Sequence, residues 1–131
     1  MANFFVGDGN LADAPRLNTI EVDGEERTVA NMRLFINRQR KNVDGKYEDR
    51  GGFWLNASCW GQKAREAGRL LQKGALIKVE GELEQQKWID DEGNERTGLT
   101  LNIRDWSLLP FRLEEVSYKN RSDAAGSEGR G

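Results

Sequence analysis

The sequence contains no histidine and a single cysteine, Cys59. A chain without histidine cannot form a Ser-His-Asp or Cys-His catalytic group, and a zinc site built from its side chains is disfavoured. One cysteine cannot form an internal disulfide, which agrees with a reducing cytoplasm. Because no histidine can activate Cys59, we expect an inert thiol. These absences favour a non-enzymatic protein that binds no metal and no cofactor.

Long apolar runs are also missing, and the first residues, Met1–Phe4, have neither the basic nor the apolar region of a secretion signal. We therefore expect a cytoplasmic protein without membrane contact. The 131 residues suffice for one domain with a modest core. Because the chain becomes polar from about Arg112, we expect a domain over residues 1–111 and a polar, disordered tail over residues 112–131.

Tryptophan residues stand on the polar side of segments whose side chains alternate. Residues 53–60 alternate with period two, so one strand face is apolar and the other carries Trp54 and Trp60 beside small polar residues. Trp88 likewise shares its phase with the charged face of a later strand. Flat rings on an open sheet face suit the stacking of single-stranded bases of any sequence. The core face is expected to consist of Phe53, Leu55, Ala57 and Cys59, and in the last strand of Leu99, Leu101 and Ile103.

Basic residues concentrate in one segment of an acidic protein. The net charge of −2 and the pI of about 5.3 argue against general affinity for nucleic acids. Between residues 33 and 50, however, there are six basic residues and three acidic ones. An ordinary solvated hairpin would also explain this segment. The candidates for phosphate contact are Arg33, Arg38, Arg40, Lys41, Lys46 and Arg50.

The order of the elements predicts the fold. One good helical stretch, Gln62–Leu71, follows the tryptophan strand and ends before Gly74. Asp23-Gly24 and residues 90–94 read as hairpin turns, and residues 42–52 as a long flexible loop. The pattern amounts to about five strands with a helix between strands 3 and 4. It predicts an all-β protein of small α content, a five-stranded OB-fold barrel, which is a common oligonucleotide-binding architecture.

Five short stretches follow one another at a characteristic spacing: Gly9-Asn10-Leu11, Val29-Ala30-Asn31-Met32, Trp60-Gly61-Gln62-Lys63-Ala64, Val79-Glu80-Gly81-Glu82-Leu83 and Trp88-Ile89-Asp90. With them the sequence resembles the bacterial single-stranded DNA-binding protein family from Phe4 to about Leu109. The resemblance implies that Trp54, Trp60 and Trp88 stack on bases. It also implies a stacking group in the hairpin before the tryptophan strand; in this sequence an arginine or a tyrosine would take that role, and Tyr47 is a candidate.

Two departures from the family pattern bear on partners. The chain ends in Glu128-Gly129-Arg130-Gly131, without the family's acidic tip, so recruitment of replication or repair proteins by that route is not expected. This difference suggests a specialised copy carried by a mobile element. Asp8 occupies a usually apolar position near the family's subunit-pairing surface. The family's homotetramer therefore cannot simply be carried over. A homo-oligomer is still expected, with dimer and tetramer both open, because one barrel offers few stacking platforms.

Each candidate also has an ordinary structural explanation. Trp54 and Trp60 could pack against another subunit, and Trp88 could be a cross-strand partner. Trp106 breaks the phase of its strand, which favours a structural role. The acidic run Asp90-Asp91-Glu92 reads as a turn and not as a magnesium site of a nuclease.

Single-stranded DNA binding without sequence specificity, in replication, recombination or repair, is the leading functional hypothesis. The alternative is a primosomal-type OB-fold accessory protein that acts mainly through protein partners. A protein-interaction OB module without a nucleic-acid role is a further class, and it is allowed by the acidic pI.

Overall fold

The computed structural model describes residues 3–119. This part of the chain contains one helix and six strands, in the order β1 (Phe5–Leu11), β2 (Arg16–Val22), β3 (Glu25–Lys41), β4 (Tyr47–Trp60), α1 (Gln62–Leu70), β5 (Leu76–Ile89) and β6 (Glu95–Leu108). In the same residues, no helix is long and apolar enough to cross a membrane.

Five of the strands close into a ring. The order runs β1-β5-β6-β4-β3, and β3 pairs again with β1. The pairing of β4 with β6 is parallel, whereas the others are antiparallel. Strand β2 pairs with β3 through a hairpin in which Asp23 and Gly24 both have positive φ, as a type I′ turn requires. Helix α1 falls between the third and fourth ring strands along the chain, so the predicted OB-fold class is confirmed.

The core fills the ring with one face of each strand. Alternate side chains of β3, from Ala30 to Ile36, and of β4, from Leu55 to Cys59, are buried. Ile77 and Val79 of β5 and Leu101 of β6 meet them. Helix α1 packs against β3 and β4 and adds Ala64 and Ala67. The alternation that the sequence shows in 30–36 and 55–59 therefore marks the inner face.

A β-bulge moves Trp106 into the core. Glu80 lies opposite Asp105 but Gly81 opposite Ile103, so Arg104 is an extra residue in β6 and the side-chain phase changes there. A side chain at Gly81 would come within 2.0 Å of the Asn102 carbonyl oxygen, so this close approach requires glycine. Trp106 is 5% exposed. Its predicted structural role is confirmed.

Lys63 connects α1 to the part of β6 that follows this bulge. Its Nζ lies 2.7 Å from the Asp105 carboxylate and donates to the Trp106 carbonyl oxygen at 3.1 Å, while the indole Nε1 of Trp106 donates to the Lys63 carbonyl oxygen at 3.1 Å. The hydrogen bond from Lys63 lowers the pKa of Asp105 below its usual range. This lysine therefore has a structural role in the described fold.

Two positions expected in the core, Phe53 and Leu99, are exposed. Both lie where the hairpins extend past the ring, since β4 meets β6 only through residues 56–58. The expected loop 42–52 is also shorter than predicted, because β3 and β4 continue to Lys41 and Tyr47. The outer parts of β3 and β4 are held by backbone pairing and not by burial. Their side chains therefore show no apolar alternation from which the strands could be predicted.

After β6, residues 113–119 form neither helix nor strand and are exposed. Residues 120–131, most of the expected tail, lie outside the described part of the chain.

Candidate nucleic-acid interface

Two tryptophans project from the outer face of β4. Trp54 is 51% exposed and Trp60 is 43% exposed. They stand six positions apart on one strand, which corresponds to about 20 Å. The intervening outward residues, Asn56 and Ser58, are small and polar. The outer face is hereafter the side of β3 and β4 that carries Trp54 and Trp60.

Trp54 is held by its neighbours on β3. The Phe35 ring meets it edge-on, with centroids 5.1 Å apart and an interplanar angle of 68°. The Arg33 guanidinium lies 4.8 Å from the Trp54 ring centroid, within cation–π range. Arg33 also donates to Asn56 Oδ1 at 3.4 Å. Trp54 is therefore oriented before any ligand binds.

Trp60 lies directly opposite Val29. Val29 is buried although it does not belong to the core cluster inside the ring. Because these two residues share the outer face, the exposed ring of Trp60 has a buried apolar side chain, Val29, as its direct cross-strand neighbour.

Trp88 lies on the same outer face, two strands away. The face continues from Asn56 through its partner Thr100 to Glu84, and Trp88 shares the phase of Glu84. Trp88 is 50% exposed. Its ring lies over Gly98, where a side chain would meet the indole at 3.2 Å. Glycine at this position leaves room for the ring to lie across the neighbouring strand.

The β3–β4 hairpin brings together part of the basic set. Lys41 lies directly opposite Tyr47, which is 73% exposed, and Lys46 precedes Tyr47 in the turn. Arg38 is exposed and lies at an irregularity in the pairing of β3 with β4. The side chains of Arg40 and Arg50 lie outside the described residues, although their backbone belongs to β3 and β4.

The acidic run at 90–94 forms a turn. Asp90 Oδ1 accepts hydrogen bonds from the backbone N–H groups of Glu92 and Asn94, and Oδ2 accepts one from Arg96 at 2.8 Å. The bond from Arg96, with those from the backbone, lowers the pKa of Asp90. Among the side chains that the structure describes, which leave out those of residues 39–40 and 48–50, there is no cluster of three or more potential metal ligands. The predicted turn is confirmed.

Cys59 is buried on the inner face, and burial raises the pKa of its thiol to about 11. It stays protonated at neutral pH, as expected of an inert thiol.

Comparison with known proteins assigns the family. The model of the single-strand binding protein family matches residues 2–109. The chain belongs to this family. Among relatives of this family member, the "Single-stranded DNA-binding protein 1" of Clostridium acetobutylicum is 28% identical over 88 residues, which cover 67% of this chain and 76% of the relative. The protein of the same name from Streptococcus pyogenes is 27% identical over 120 residues, covering 92% and 86%.

A solved structure supports the fold assignment. The small single-stranded DNA-binding protein from Streptomyces coelicolor superposes with a TM-score of 0.68, covering 84% of this chain and 96% of its own. Its sequence identity of 17% limits this likeness to the fold.

Sequence reasoning missed one basic residue on this family member's outer face, Arg16 of β2. It lies opposite Asn31, and both line a groove together with Arg33. The signal was present, because pairing outward from the Asp23-Gly24 turn sets residue 16 against residue 31. Strand β2 has no buried face, so no apolar alternation in the sequence marks which of its side chains point outward.

Proposed function

We propose that this protein binds single-stranded DNA without sequence specificity and is not an enzyme. The observation that carries the proposal is the set of three half-exposed tryptophans on one outer face of the barrel, beside a basic hairpin. Membership of the single-strand binding protein family supports it, since the relatives are named for this activity. DNA binding is assigned to residues 1–111, with residues 112–131 as a tail.

In this proposal bases stack on the rings and phosphates meet the cations. Stacking on Trp54, Trp60 and Trp88 contributes about 1–3 kcal/mol per base and tolerates any base, since every base has a π face. Tyr47 adds a ring at the far end of the β3–β4 hairpin. The cations proposed for phosphate contact are Arg33, Arg38, Arg40, Lys41, Lys46 and Arg50.

The role that follows is to cover and unfold exposed strands in bacterial replication, recombination or repair. Several copies are proposed to act together as a homo-oligomer. Half-exposed Phe4 and Val6 at the start of the chain support this, because a second copy would cover their apolar surface.

The test is a titration with unstructured oligo-dT, followed by intrinsic tryptophan fluorescence at low and moderate salt. Strong quenching that salt weakens and duplex DNA does not reproduce is expected. Unchanged fluorescence at low salt would refute base stacking and would favour a protein-interaction module.

A further inference from the structure

A polar groove crosses the outer face between Trp54 and Trp60. It has a volume of about 390 Å³, in the range of small-ligand sites. Asn56 and Ser58 of β4 lie at its centre, flanked by Asn31 and by the two arginines Arg16 and Arg33. The groove is lined by no carboxylate among the described residues.

Internal hydrogen bonds leave mainly donors at the centre of this groove. The Asn31 Oδ1 accepts from the Ser58 hydroxyl at 2.9 Å, and the Asn56 Oδ1 accepts from Arg33 at 3.4 Å. Each amide oxygen thus has a partner, whereas both Nδ2 groups keep their donors for a ligand. Gln86 and Thr100 on the opposite wall carry groups of both kinds.

We propose that this groove is a base-edge subsite that accepts bases with carbonyl oxygens (thymine, guanine and cytosine) in preference to adenine, which has none. Asparagine reads adenine with its oxygen and nitrogen together, and here each oxygen already accepts one hydrogen bond from a neighbouring side chain, which leaves it less able to accept from adenine. Carbonyl oxygens instead accept from the two Nδ2 groups and the arginines. The inference rests on the proposed function, to which it adds a base preference.

A phosphate would use the same donors, but the location favours a base. The central groups, the Asn56 amide and the Ser58 hydroxyl, are neutral and lie on β4 between the two rings on which bases stack, and the Asn31 amide is next to Ser58 on β3. Arg16 and Arg33 stand to one side of them, on β2 and β3, where phosphates next to a stacked base would lie. Base and phosphate differ in one measurable way, since only a base-edge contact depends on the base.

The experiment compares two homo-oligomers of equal length. One is oligo-dT, and the other carries difluorotoluene, which keeps the shape of thymine but lacks its carbonyl oxygens. The dissociation constants of the full chain for both are measured by fluorescence titration, and their ratio is the readout. In the variant Asn31→Ala/Asn56→Ala the preference for oligo-dT is expected to fall by about fivefold, as the loss of a net hydrogen bond predicts.

Asn18→Ala is the matched control. Asn18 is an exposed asparagine of β2 that does not line the groove, so its removal is expected to leave the ratio unchanged. Because Asn31 and Asn56 are exposed, the double variant is expected to keep its thermal unfolding midpoint.

Three results would overturn the subsite. An equal loss of affinity for both oligomers would identify phosphate contact, and an unchanged ratio with unchanged affinity would leave the groove without a role. Absence of binding to either oligomer by the wild-type chain would refute the proposed function as well, so the two failures are distinguishable.

Discussion

The two long hairpins of this protein have the same turn and opposite charge. In residues 42–46 the side chain of Asn42 accepts from the backbone N–H groups two and four residues later, and Asp90 does the same in residues 90–94. Gly45 and Gly93 have φ values of 82° and 85°. The segment 37–52, the first arm, has five basic and three acidic residues; the segment 84–99, the second arm, has two and five.

Each arm also supports an aromatic ring on a glycine of the neighbouring strand. Phe35 lies over Gly52 and contacts Trp54, while Trp88 lies over Gly98. The turn and the glycine determine the backbone path and the ring position of each arm. They place no requirement on the charge of its other side chains. In the proposed function the first arm holds phosphates, whereas the second contributes a stacking ring without attracting the backbone of the DNA.

The largest expected effect is a loss of stability when the glycine beneath the Phe35 ring is replaced. In Gly52→Ala the new Cβ would lie 2.5 Å from the Ile36 carbonyl oxygen, so the backbone must shift, at a cost of about 3 kcal/mol in the free energy of unfolding. Urea unfolding measures it. The matched change Gly98→Ala meets only the end of the Trp88 ring at 3.2 Å, and it is expected to move that ring with little loss of stability. Equal losses would contradict the comparison.

Removing a ring is expected to weaken DNA binding without altering its salt dependence. Trp54→Ala should cost about 2 kcal/mol of binding free energy for oligo-dT, since stacking is lost. The slope of log K against log salt should stay the same, because no counterion-releasing contact is removed. Trp106→Phe is the control, because Trp106 is buried in the core. A slope that changed with Trp54→Ala would show that ring and cations do not act separately.

Removing positive charge from the first arm should, in contrast, change the salt dependence of DNA binding. In Lys41→Ala and Lys46→Ala the slope is expected to become shallower by about 0.7 for each phosphate that the variant no longer neutralises. Lys87→Ala, in the second arm, should leave it unchanged. Titrations at several salt concentrations measure the slopes. Equal effects from both arms would remove the distinction drawn between them.

The smallest effect concerns the charge of the second turn. Asp90→Asn keeps an oxygen for the turn and removes the ion pair with Arg96. Because the folded pKa of Asp90 is lowered from 3.8, the pair stabilises the fold above that pH and is lost as the pH falls through the lowered pKa. Thermal unfolding should therefore separate variant and wild type slightly at neutral pH and not in strong acid. A difference that persisted in acid would point to the turn itself.

The inner half of the barrel could be predicted from sequence because burial imposes an alternating pattern. Leu34 and Leu55 follow that pattern and lie inside the ring, and the same alternation put Trp54 and Trp60 outside. The pattern fails at Phe53 and Leu99, where the strands leave the barrel and apolar side chains no longer find a core.

Contacts between strands were harder to predict, since they depend on register. The approach of Arg33 to Trp54 requires β3 and β4 to pair as they do, with Arg33 opposite Asn56. No residue type marks the bulge at Arg104 in the sequence. Its one indirect sign is that Trp106 does not continue the alternation of the apolar residues before it in β6.

That bulge also gives the protein an optical reference. Of its four tryptophans, three are half-exposed and Trp106 is enclosed. Its emission should be blue-shifted and inaccessible to acrylamide in the free protein. When a bound strand quenches the exposed rings, the remaining emission should come mainly from Trp106. One spectrum would then report ligand binding through the drop in intensity and an intact fold through the blue-shifted emission maximum that remains.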